Sequence, residues 1–82
     1  MTSPQCRAAR ALLGWSQPQL AEAAGFGLST VVDLERGRRE VSAKASSAIR
    51  AALEAAGVEF IDPNGGGPGV RLRDNGGRDA KG

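Results

Sequence analysis

Glycines at positions 14, 25, 37 and 57 divide the first 57 residues of this 82-residue chain into four short, alanine- and leucine-rich segments. Glycine takes the left-handed conformation that ends a helix, so the spacing predicts four short helices and forbids one long one. The first begins at "SPQC", with Ser3 as the expected cap and Pro4 at the first helical position, and carries Cys6, Ala9, Leu12 and Leu13 at helical spacing. The second opens at Ser16, with Gln19 three residues later completing a capping-box pattern around Pro18. The third runs from about Leu28 to Arg36, with Val31 and Leu34 on one face. The fourth starts near Ser42 and shows an amphipathic stripe of Ala45, Ile49, Ala52, Leu53 and Ala56.

After Gly57 the hydrophobic period changes from 3.6 to 2. "VEFI" and "VRLR" alternate, with Val58 and Phe60 on one face and Val70 and Leu72 on another, and the turn-rich "DPNGGGPG" joins them. Two strands follow from this pattern. A lone two-stranded ribbon is marginal in water, so it must lie on the helices, on a partner's strands, or on both. The expected organisation is a helical domain over residues 1–57, a ribbon over 58–73 and a polar, glycine-rich, disordered tail over 74–82. The fold class is mostly α, a small bundle with a short C-terminal β-ribbon.

Between the second and third helices only Gly25, Phe26 and Gly27 intervene. Two short helices joined by so tight a turn match the helix-turn-helix pattern, in which they cross steeply. The internal spacing agrees: Ala21 is small where crossing helices leave little room, Gly25 sits where a positive φ is needed, and Val31 and Leu34 close the core.

Composition excludes several other functions. Histidine is absent and cysteine occurs once, so a disulfide framework and a zinc-stapled scaffold are both ruled out, and Cys6 reads as an ordinary buried residue. Without histidine there is no ready general base near neutral pH. The acids Glu22, Asp33, Glu35, Glu40 and Glu54 form no evident pair, so an enzyme is not expected and neither is a cofactor. "GFG" and "GGGPG" lack the residues of phosphate-binding loops and read as turns. No apolar run approaches a membrane helix, which points to a cytoplasmic protein. Net charge is only +2, and the whole excess falls in residues 1–57, with 7 Lys/Arg against 5 Asp/Glu. That balance permits a polyanion partner without requiring one.

The stretch "ARALLGWSQPQLAEAAG" followed by "TVVDLERGRR" resembles the Cro/repressor-type helix-turn-helix family, often called Xre, over about residues 5–53. The ending "AGVEFI" with "GGGPGVRLR" is similar to the tails of small bacterial regulators of this kind. The resemblance implies a lambda-repressor-like bundle of four or five helices, a homodimer, and a third helix inserted in the major groove of double-stranded DNA. It places Gln17 on a phosphate or an outer base, and Gly27, Leu28, Ser29, Thr30, Val32 and Asp33 at base edges. Arg36, Arg38, Arg39 and Lys44 fall where relatives contact phosphates, and Arg10 and Glu35 match a pair that bridges the first and third helices. Dimerisation is expected through the fourth helix and the ribbon, with Val58, Phe60, Val70 and Leu72 as the contact residues.

The chain departs from the family where relatives carry polar readers. Gly27 and Leu28 stand where a capping Ser or Thr and a polar residue are usual, and Val32 fills another position that is often polar. Leucine and valine can meet thymine methyl groups but offer no bidentate hydrogen bonds. At this stage Leu28 and Val32 suit thymine methyls, the chain's own tail or another protein equally. A protein-interaction module on the same scaffold, an adaptor or an antitoxin with a toxin partner, is therefore the second reading. "RGRR" alone would read as a solvated loop, and Trp15 reads as a partly buried anchor in preference to a base-stacking ring.

Overall fold

The computed structural model describes residues 1–38, 41–63 and 65–73, and the expected disordered tail over 74–82 lies outside them. The chain forms α1 (Ser3–Leu13), α2 (Gln17–Ala24), α3 (Leu28–Glu35) and α4 (Ala43–Ala55), then β1 (Val58–Ile61) and β2 (Gly69–Leu72). No helix among the described residues is long and apolar enough to cross a membrane.

Helix ends fall where the local chemistry directs them. Ser16 caps α2 as expected: its hydroxyl accepts from the Gln19 N–H at 3.2 Å, and the Gln19 side chain accepts from the Ser16 N–H at 2.7 Å. The cap of α1 is Thr2, not Ser3. Thr2 and Gln5 form the reciprocal pair, which moves Ser3 inside the helix and frees its hydroxyl to donate to the Leu34 carbonyl at 2.7 Å. At the other end of α2, Gly25 takes φ 76°, with its N–H on the Glu22 carbonyl and that of Phe26 on the Ala21 carbonyl. This pairing satisfies carbonyls the helix would otherwise orphan, and it turns the chain abruptly enough to start α3 three residues later.

Leu20, Ile49, Leu53, Val31, Val58 and Cys6 are fully buried, and Ala9 and Ala21 fill the close approaches between helices. Each large aliphatic contributes about 1.5–3 kcal/mol by burial. Trp15 packs against this core as a partly buried anchor. Leu12, expected on the buried stripe of α1, is turned outward, and Ala56 is exposed at the end of α4.

The ribbon is antiparallel, with Val58 opposite Leu72 and Phe60 opposite Val70. This register puts all four residues on one face, where two separate faces were expected, because residues directly opposite share a side of the sheet. That face rests on the chain's own helices, β2 against α1 and β1 against α4 and α1. Arg50 of α4 lies over the Phe60 ring, 4.9 Å from its centre. A further tether is Gln5, a buried amide whose Nε2 donates to the carbonyls of Ile61 at 3.2 Å and Gly69 at 3.0 Å, the last pair of the ribbon.

Replacing Gln5 with Ala removes the donor for both carbonyls and half of the α1 capping box. We expect a loss of about 1–3 kcal/mol by urea unfolding, with hydrogen exchange accelerated first at Ile61 and Val70. Exchange unchanged in the ribbon would show that Gln5 does not anchor it.

Candidate nucleic-acid interface

The second helix of the helix-turn-helix is fixed from its inner side by α1. The Glu35 carboxylate, at the last residue of α3, is buried with 3% of its side chain exposed. Its Oε1 accepts from Arg10 Nη2 at 3.1 Å and from Gln17 Nε2 at 3.0 Å. Its Oε2 accepts from Arg10 Nε at 2.9 Å and, more weakly, from Cys6 Sγ at 3.6 Å. The bidentate pair of Arg10 and Glu35 therefore spans α1 and α3, and Gln17 adds α2 to the same charge. Around it Arg7 donates to the Glu35 carbonyl, and Ser3 to that of Leu34. Gly37, at φ 77°, completes the end of α3: its N–H meets the Leu34 carbonyl and the Arg38 N–H meets that of Asp33.

Burial alone would raise the Glu35 pKa. The hydrogen bonds from Arg10 and Gln17, the Arg10 charge and the Cys6 thiol outweigh it and hold the carboxyl below its ordinary value. The Cys6 thiol moves the other way, pushed up to about 12 by burial and by the neighbouring Glu35 charge, which makes it an inert donor and no nucleophile.

The outer side of α3 carries the residues expected to meet DNA. Gly27 is the N-cap and supplies no side-chain acceptor, leaving the first turn of α3 without a side-chain cap. Leu28, with 46% of its surface exposed, and Ser29 stand open beside it. Val32 is half-buried one turn further on. Thr30 is half-buried too, and lines a cleft of about 160 Å³ with Phe26, Asp33, Val41, Ser42 and Ala45, so it faces α4. Asp33 Oδ1 lies 3.5 Å from Arg38 Nε. Arg36, Arg38 and Lys44 are exposed, Lys44 on the first turn of α4; Arg39 lies outside the described residues. Gln17 stands at the start of α2 as expected, but its amide is committed to Glu35.

Of the four residues expected at a dimer contact, Val58 is 1% exposed and belongs to the core of its own chain, and Phe60 and Val70 pack against that core. Leu72 is the one left open, at 50%. The sequence reading missed Ser3, Arg7 and Cys6 as partners of α3. Each acts across about 30 residues of chain, where no local spacing rule reaches.

A bundle whose second and third helices form a tight turn, with the third held from behind and flanked by exposed cations, is the architecture of a DNA-binding helix-turn-helix protein. A helix-turn-helix family model matches residues 7–59, more than half of the chain, and the chain belongs to this Xre/Cro-type family of DNA-binding transcription regulators. A comparison with curated proteins gives no match.

Since the folded carboxyl of Glu35 titrates below its ordinary value, its contribution to stability is fully present above pH about 4.5 and is lost as the pH falls through the folded value. Glu35→Gln should therefore flatten the acid limb of a stability-against-pH curve. Arg10→Met leaves the carboxylate buried without its charge partner and should cost about 3–5 kcal/mol at neutral pH, a large fraction of what a domain this small has. An acid limb unchanged in Glu35→Gln would assign it to another carboxylate.

Proposed function

We propose that the chain is a sequence-specific transcriptional regulator that binds double-stranded DNA as a homodimer, with α3 in the major groove. The observation that carries this reading is the asymmetry of α3. Its inner side is locked by α1 through Glu35, while its outer side is open and bordered by exposed Arg36, Arg38 and Lys44. The uncapped first turn of α3 adds backbone N–H groups, and helix N-termini favour anions. In this arrangement Arg36, Arg38, Arg39 and Lys44 contact phosphates, which supply affinity and salt dependence, while Leu28, Ser29, Val32 and Asp33 face base edges. Gln17 reaches a phosphate only with the part of its amide that Glu35 does not hold.

The homodimer rests on the ribbon. Leu72 and Ile61 are half-exposed apolar side chains on a two-stranded sheet, and unpaired sheet edges are ready pairing surfaces. Two-fold symmetry then implies a palindromic operator with half-sites about 10–10.5 base pairs apart. The adaptor or antitoxin reading draws on the same exposed Leu28 and Leu72.

Selection from a random duplex library, followed by a salt series on the enriched pool, tests the reading directly. An enriched palindrome supports it; the absence of salt-sensitive binding to any duplex would favour the interaction module. Arg36→Ala combined with Arg38→Ala should weaken binding to all sequences alike and flatten the log–log salt slope by about 2. Leu72→Asp should give monomers by light scattering, whereas an intact dimer would remove the ribbon from the interface.

A further inference from the structure

The outer side of α3 holds fewer free polar groups than its sequence suggests. The Asp33 carboxylate faces the Arg38 guanidinium at 3.5 Å. The Gln17 amide donates to Glu35 at 3.0 Å, and Thr30 is turned into the cleft toward α4. Along one side of the helix, what remains presentable is the Leu28 side chain, the half-buried Val32 four residues on, and the Ser29 hydroxyl. Residues four apart are neighbours on a helix surface, so Leu28 and Val32 make one small apolar strip. Exposed Arg36 and Arg38 stand near it, and the uncapped start of α3 adjoins Leu28. Cations and free N–H groups around an apolar strip suit a polyanion that carries apolar groups, and suit the apolar face of a protein poorly. In the major groove the apolar feature of the four base pairs is the C5-methyl group of thymine.

We propose that Leu28 and Val32 are a methyl-reading strip, through which the chain selects its operator by the positions of thymine C5-methyl groups, with little contribution from bidentate hydrogen bonds. This rests on the reading of α3 as the major-groove helix. It adds the chemistry by which that helix discriminates: contact of an aliphatic side chain with a methyl group, whose strength follows the apolar area removed from water and not a hydrogen-bond pattern. Ser29 supplies the hydroxyl that fixes register beside the strip.

Deoxyuridine in place of thymidine removes the methyl and keeps every hydrogen-bonding group of the base pair. The test uses the full chain and the duplex enriched by selection from the random library, resynthesised with deoxyuridine at each thymidine in turn. One or two positions in each half-site should bind about four-fold more weakly, the effect of one buried methyl group. The Leu28→Ala protein, altered at an exposed residue, should bind the two duplexes equally at the position that Leu28 reads. Wild-type binding that is unchanged by deoxyuridine at every position overturns the methyl-reading strip and leaves the DNA interface standing. Equal weakening in the wild type and in Leu28→Ala also overturns it, since the methyl then acts through DNA shape. Failure to bind any duplex in a salt-sensitive way overturns the DNA interface itself, and the strip with it.

Discussion

A single buried carboxylate organises this molecule. Glu35 would be costly to bury alone, and it is tolerated because Arg10, Gln17 and Cys6 together supply hydrogen bonds to both its oxygens. Those partners come from two other helices, so the charge can be satisfied only when α1, α2 and α3 are correctly placed at once. Apolar packing is less demanding: Leu20, Ile49 and Leu53 would fill a core in more than one arrangement, with only modest losses. The carboxylate thus selects one arrangement among several that the hydrophobic effect would accept.

The same region explains why α3 can be short. Eight residues form a marginal helix in isolation, because nucleation is costly. Here its last turn is held by Ser3 on the Leu34 carbonyl, by Arg7 on that of Glu35 and by the turn at Gly37. Carbonyls left orphaned at a helix C-terminus are met by side chains of α1, and the helix is stabilised from outside itself.

Much of this was legible in the sequence, because its causes are local. Gly25, the Ser16 and Gln19 pair, and the switch from period 3.6 to period 2 after Gly57 each act within a few residues, and each predicted element is present. The partnership of Arg10 and Glu35 was legible only through family resemblance, since 25 residues separate them. The Thr2 cap was misread as Ser3 because either hydroxyl fits the start signal, and Gln5, three residues after Thr2, settles the choice by returning the bond. Which way the ribbon faces, and that Gln5 reaches Ile61 and Gly69, depended on how the strands dock on α1, which alternation alone does not specify. For the interface, the positions were legible but their availability was not: Gln17, Thr30 and Asp33 are polar in sequence and partly engaged in the fold.

The triple tie at Glu35 also has a mechanical meaning. A helix joined through one charge to both of its neighbours cannot tilt or slide by itself to suit a groove of different width. Any adjustment on docking then falls to the nucleic acid, whose bending and groove compression vary in cost with base sequence. A stiff protein of this kind measures the compliance of DNA as well as its chemistry. Base pairs that α3 never touches could therefore alter affinity through the ease with which they deform.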